Sequence, residues 1–301
     1  MTDVLQVVVS TATVGSALAL VALGFGVVFA ATGVVNFAQG PLLVVAGYGA
    51  YALTRAGLPV VAAFPLVVVG TAAAGAVVEL VALRPLRRGT MPADVGAVLT
   101  TFAAGLVAVD LVRLLVDASP HRLPPLVGSV AGWEAGRVAG VAVTPADVLV
   151  VVVTLAVVAG ADVTQRRTAA GRALRAVAED REAAALVGVN PRAVVTVAFA
   201  AAGALAALAA VLLAPRSFVR LENGLLLGLQ GFVAAVLGGL GSARGALAGG
   251  YAVAAVSAVA RTASPTGARY EYLLVFLLFL AVLAVRPTGL LGERGERLEK
   301  A

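Results

Sequence analysis

Few side chains among these 301 residues could do covalent chemistry, and their placement points away from catalysis. There is no Cys, which excludes thiol nucleophiles, disulfides and Cys-based metal sites. The single His, His121, stands in a Pro-rich stretch (Ser119-Pro-His-Arg-Leu-Pro-Pro125) and reads as a surface residue. Three carboxylates fall near apolar runs. Asp110 has Arg113 three residues on, Glu79 has Arg84 about one turn on, and Glu271 opens the last apolar run, where a helix dipole favours an acid. All three read as interfacial groups, not as proton carriers near a bilayer midplane. The string Gly238-Gly-Leu-Gly-Ser242 lacks the Lys-Ser/Thr that a phosphate-binding loop requires.

What remains is non-covalent chemistry. Asn36 and Gln39 sit in Gly33-Val-Val-Asn-Phe-Ala-Gln-Gly40, between two apolar runs, with Gly33, Gly40 and Pro41 marking a helix break. An amide both donates and accepts, so it can hydrate a passing polar solute without trapping it by full charge pairing. Broken helix in a membrane is tolerated only against protein or a water-filled cavity. One reading is therefore a lining of a substrate path. The other is a tight turn between two spans, with the amides as caps. Gln230-Gly231 repeats the pattern: Gly47 follows Gln39-Gly40, and Gly238 follows Gln230-Gly231, at the same offset. Two such segments running in opposite directions are the sequence sign of an inverted repeat.

A second kind of chemistry is docking. Residues 171–191, GRALRAVAEDREAAALVGVNP, carry six charges in a chain that is otherwise 13% charged and 61% hydrophobic. The composition predicts an Ala-rich helix ended by Gly188 and Pro191, with Arg175 and Glu179 paired at i,i+4 and Leu174, Val177 and Ala184 on one apolar stripe. Charge beside an apolar stripe suits a helix that enters a groove on a soluble partner. An ordinary amphipathic helix lying at the interface is the alternative. Glu179, Asp180 and Glu182 argue against simple adsorption to anionic lipid.

The elements that position these residues are membrane spans. Mean hydropathy is +1.02, far above what a soluble domain of this length could carry. Windows close to the roughly 20 apolar residues of a span lie at about 4–31, 38–54, 58–83, 95–116, 146–163, 191–213, 225–241, 245–261 and 271–286. Those at 38–54, 225–241 and 245–261 are short and Gly-rich, so eight full spans is the alternative to nine. The N-terminus lacks a basic region, so the first run reads as a retained span. Thr144-Pro145-Ala146-Asp147 is a capping-box pattern that fixes the start of one span. Trp133 reads as an interfacial anchor. Alternate loops carry 14 and 8 Lys or Arg residues. The richer set includes Arg84, Arg87, Arg88, the 166–192 cluster, Arg244, Arg286, Arg294, Arg297 and Lys300. Positive-inside placement puts the N-terminus outside and the C-terminus in the cytoplasm.

Four stretches in this order resemble the branched-chain amino acid ABC permease family: GVVNFAQGPLLVVAGYGAY at 33–51, the charged run at 171–191, the Gly-rich stretch from Gly231 through Gly250, and Val285-Arg-Pro-Thr-Gly-Leu-Leu-Gly292. They spread over most of the chain. That family more often has His at the position of Gln39, which weakens transfer of any role there. The resemblance implies a single transmembrane permease domain over residues 1–301, an all-α polytopic bundle of 8–9 spans with a candidate inverted repeat and Gly-broken helices. It implies a cytoplasmic coupling segment at 164–190 that docks on an ATPase through Gly171, Arg172, Leu174, Arg175, Val177, Glu179, Asp180, Ala184 and Gly188. The substrate path would pass Asn36, Gln39, Gly40, Gln230 and Gly231. Implied partners are a second homologous permease, two ATP-binding subunits, an extracytoplasmic solute-binding protein and membrane lipid of the prokaryotic inner membrane, with no nucleic acid. No catalytic residue, metal or cofactor is expected in this chain, since ATP is used by the partner subunits. The implied cargo is a branched-chain or related amino acid. Urea, short amides or another small polar solute is the nearest alternative, and an ion-coupled secondary transporter is the rival from another class.

Overall fold

The computed structural model describes residues 2–85, 93–116, 119–126, 136–138, 141–217, 219–263, 267–286 and 288–291. Arg87, Arg88, Trp133, Pro287, Gly292, Arg294, Arg297 and Lys300, which the sequence marks as anchors or span ends, lie outside them. The described elements are α1 (Thr2–Thr32), α2 (Gln39–Arg55), α3 (Val60–Val78) continuing into a π-turn (Glu79–Leu83), α4 (Ala93–Leu115), α5 (Pro145–Arg167), α6 (Ala169–Glu179), α7 (Arg181–Leu186), α8 (Pro191–Leu213), α9 (Leu221–Gly238), α10 (Ala243–Ala263) and α11 (Gly267–Val285). One antiparallel hairpin, β1 (Gly136–Val138) and β2 (Val141–Val143), departs from the all-helical expectation. It lies in the long loop before α5, where the apolar periodicity of a span is absent.

Among the described residues, seven helices are long and apolar enough to cross a membrane: Val4–Thr32, Val60–Leu83, Val95–Leu115, Pro145–Arg167, Pro191–Leu213, Leu221–Gly238 and Ala243–Thr262. The expectation of eight or nine is therefore met only to that extent. Two windows expected to be short extend further upstream, as α9 and α10. The 17 residues of α2 rise about 25 Å, short of a roughly 30 Å hydrocarbon core.

Sequence explains the helix starts. The Thr144 side chain accepts from the Asp147 N–H, and Asp147 reaches back to the Thr144 N–H at 2.9 Å, completing the expected capping box with Pro145 in the first turn. Asn190 accepts from the N–H groups of Arg192 and Ala193, and Pro191 opens α8.

Packing follows the membrane rule that small residues admit close backbones. α1 is the hub, touching α5, α8, α9 and α10, with Leu18, Leu20, Leu23 and Phe25 fully buried. α3 and α8 meet where Gly75 lies under the Phe199 carbonyl and Gly203 under the Thr71 carbonyl; a methyl group at either would collide with backbone. α2 crosses α9 in the same way, at Gly40 against Gly224 and Gly228. Val69, Leu106, Leu114, Val152 and Leu277 face outward, as a lipid-solvated surface requires.

Side-chain and backbone contacts sort the helix ends into two groups. At the end holding α6 and α7, Arg181 meets Ala31, Thr196 meets Glu79, Arg244 meets Asp162, and the N–H groups of Leu290 and Leu291 bond the carbonyls of Leu237 and Gly238. At the far end, Arg216 pairs with Asp147, Arg261 with Glu271, and His121 bridges Val219 through the backbone. The His121 ring, expected to be a plain surface group, stacks on Tyr51 at 3.6 Å and pins this loop to α2.

Candidate coupling segment and its anchorage

The charged segment is built on a fixed corner. Thr168 leaves helical geometry and its hydroxyl accepts from the Gly171 N–H at 3.2 Å, capping α6. Gly171 sits against the Thr164 and Gln165 carbonyls, so closely that a side chain there would strike the end of α5. Arg175 donates to the Gln165 carbonyl. This corrects the expected Arg175–Glu179 pair: among the described residues no ion pair joins them. The last carbonyls of a helix lack intrahelical donors, and the guanidinium fills that need at the end of α5.

The expected single helix is also two. The backbone of Asp180 is extended, and its carboxylate accepts from the N–H groups of Glu182 and Ala183 at 2.8 and 3.0 Å. Asp competes for such cap bonds better than it serves a helix interior. α7 then ends at Leu186, and Gly188 takes φ +85°, the left-handed conformation that closes helices.

The apolar stripe turns inward. Val177 is 2% exposed and Ala184 3%, while Leu174 packs against the cluster around Ala31 and Phe199. Those residues hold the segment to its own bundle. The surface it presents outward consists of Arg172, Arg175, Glu179, Asp180 and Glu182, with Leu186 at 89% and Val187 at 78% exposure on the tip. Sequence reasoning passed over this pair. Its signal was two large apolar residues directly before Gly188, off the stripe.

One further tie anchors the segment, and two more fix the end of α5 from which it leaves. Arg181 donates to the Ala31 carbonyl at the end of α1, 3.1 Å away. Asp162 of α5 binds Arg166 at 2.9 Å and Arg244 of α10 at 3.1 Å. An open groove of about 1180 Å³ lies between these parts, with Ala31, Asp162, Leu174, Arg175, Arg181 and Leu240 on its walls. Arg244 reads in the sequence only as a topology marker.

The amides expected on the path are buried in packing. Asn36 accepts from the Ala38 N–H at 3.0 Å, forming a local turn; its Nδ2 is buried without a partner. Gln39 is sealed beside Gly24 and donates to the Ala202 carbonyl at 3.1 Å, leaving its Oε1 without a partner. Gln230 instead donates to Glu271 at 3.4 Å, and Glu271 also holds Arg261 at 3.0 Å. The structure thus brings Gly40 to α9 but sends the two Gln amides to different neighbours. Gly231 packs against Val21 of α1.

This architecture, an apolar bundle with a charged corner element between α5 and α8, can be compared with known proteins. A 34% identical relative over 256 residues, covering 82% of each chain, is the high-affinity branched-chain amino acid transport system permease protein BraD of Pseudomonas aeruginosa. The corresponding permease protein LivH of Escherichia coli is 31% identical over 260 residues, again 82% of each chain. A probable branched-chain amino acid transport permease protein LivH of Methanocaldococcus jannaschii is 29% identical over 244 residues, covering 78% of this chain and 74% of its own. No solved structure matches the chain. The profile of the branched-chain amino acid transport system permease component covers residues 7–283, and with relatives above 30% identity over most of both chains it shows that this protein belongs to that family of membrane permeases.

Proposed function

We propose that the chain is the membrane-spanning subunit of an ABC importer that carries branched-chain or related amino acids, driven by separate ATPase subunits. The observation that carries this reading is the similarity to high-affinity branched-chain amino acid permeases over 82% of both chains. The bundle supplies no chemistry of its own; its work is binding, packing and movement. The α6–α7 segment is the docking element for an ATPase, with Leu186 and Val187 as the apolar contact and the surrounding charges as a polar rim. On this reading the α6–α7 end is cytoplasmic, in keeping with the 14-to-8 asymmetry of Lys and Arg. The contacts between helix ends support alternate crossing by nine helices, with α2 and α11 as the two beyond the seven apolar spans.

The assembly would comprise this chain, a second homologous permease, two ATPases and an extracytoplasmic binding protein. The path would follow the α2–α9 crossing at Gly40 and run on past Gly231, which faces α1, reaching the amides of Asn36, Gln39 and Gln230 when those helices separate. The candidate inverted repeat relates these two segments. The test is reconstitution in liposomes with the co-purified ATPase and binding protein. ATP-dependent uptake of labelled leucine, lowered by Gln39→Leu or Gln230→Leu with basal ATPase retained, is the expected result. Uptake driven by an ion gradient without ATP would overturn the reading.

A further inference from the structure

Glu79 is the one carboxylate of the bundle that is fully buried, at 0% exposure, among the described residues. It opens the π-turn that ends α3. One oxygen, Oε2, accepts from the Thr196 hydroxyl of α8 at 2.9 Å. The other, Oε1, has no hydrogen-bond donor. Arg84 Nε stands 3.7 Å from it, close enough to attract but too far to bond. A buried carboxylate that is only half satisfied is costly, and native proteins seldom keep one without a use. A π-turn is likewise a local departure that clusters at functional sites.

Both partners of this contact have an alternative within reach. The Thr196 hydroxyl lies 3.0 Å from the Arg192 carbonyl of its own helix, so its single proton can serve either acceptor. Glu79 can take Arg84 in place of Thr196. The contact therefore admits two arrangements: the one seen here, with Thr196 bonded to Oε2 and Arg84 held at ion-pair distance from Oε1, and one with Arg84 drawn in to bond Glu79 and Thr196 turned to Arg192. The position fits a mechanical role. Thr196 lies six residues after the Asn190 cap, on the helix that leaves the α6–α7 segment directly. α8 follows that segment directly and packs on α3 along the seam where Gly75 and Gly203 hold the two backbones together, so a shift of the segment would be carried to this seam.

We propose that Glu79 is a positioning residue for transport: an exchangeable latch, Thr196–Glu79–Arg84, through which the docking segment sets the register of α8 against α3. The proposal rests on the importer reading above. Glu79→Gln keeps the volume and the acceptor for Thr196 but removes the attraction for Arg84, and so holds the arrangement seen here. In the reconstituted transporter it should leave basal ATPase within about twofold and lower uptake per ATP by about tenfold, the weight of one charge-assisted hydrogen bond. Arg84→Gln should do the same, and Arg84→Lys should restore coupling. Spin labels on Val77→Cys and Val197→Cys, both outward-facing, should give two distance populations during ATP turnover and one in Glu79→Gln. Wild-type uptake per ATP in both Glu79→Gln and Arg84→Gln overturns the latch and leaves the importer reading standing. ATP-independent uptake by the unaltered chain would instead remove the importer reading and the latch together.

Discussion

Arg181 crosses from the start of α7 to the carbonyl of Ala31, 3.1 Å away, and so joins the α6–α7 segment to the end of the central helix. Helix C-termini carry unsatisfied carbonyls and a partial negative charge, which a guanidinium answers on both counts. The contact is half-exposed, and its contribution to stability is about 0.3–1 kcal/mol.

Arg181→Glu should therefore leave the protein folded but damage coupling, because it puts a negative group where α1 presents carbonyls. The expected outcome is a thermal midpoint in detergent within a few degrees of wild type and a clear loss of ATP-driven uptake. Full uptake with an intact fold would show that α1 does not depend on this tie.

Leu186 and Val187 present large apolar side chains at the tip of α7. Burial of each against a partner contributes about 1.5–3 kcal/mol. Replacing both by Asp should weaken ATPase binding by at least about tenfold, read as loss of the ATPase from the purified complex. Membrane insertion should be unchanged, since neither residue packs in the bundle. Replacing the buried Val177 by Asp should instead reduce the yield of folded protein.

The α3–α8 seam tolerates no side chain at its small positions. Gly203→Val drives a branched group into the Thr71 carbonyl. Overpacking of this kind costs about 1–3 kcal/mol, and a drop in thermal midpoint is expected for Gly203→Val and for Gly75→Val. An unchanged midpoint for both would mean that the helices separate here at no cost.

Sidedness can be read by labelling, because the native chain has no Cys. Ala170→Cys, at the exposed start of α6, should be shielded from an impermeant thiol reagent added outside intact cells. Ser119→Cys, beside the His121–Tyr51 stack, should react. The reverse pattern would invert the orientation assigned from Lys and Arg placement.

The sequence was most legible where a local motif has one structural meaning. Thr144 with Asp147, and Gly188, each sit where cap chemistry puts them. At Asp180 the strong helix composition on either side masks the residue's own preference for a cap. The π-turn at Glu79 carries no local signature, since it depends on what α8 brings against it. The partners of Gln39 and Gln230 were equally hidden. A buried amide takes whichever carbonyl or carboxylate the packing supplies, here Ala202 in one case and Glu271 in the other. Arg175 shows the same limit: the pattern offered Glu179 one turn away, and the end of α5 offered a better acceptor.

The bonds from Leu290 and Leu291 to the last carbonyls of α9 have a consequence for biosynthesis. A nascent chain enters the bilayer in order, and α9 emerges some fifty residues before the segment that completes its end. Until α11 has been made, the carbonyls of Leu237 and Gly238 lack these partners and must borrow water or lipid headgroups. The C-terminal end of α9 therefore sets only once synthesis has passed Leu291, which makes Leu290 and Leu291 a checkpoint on assembly of this bundle.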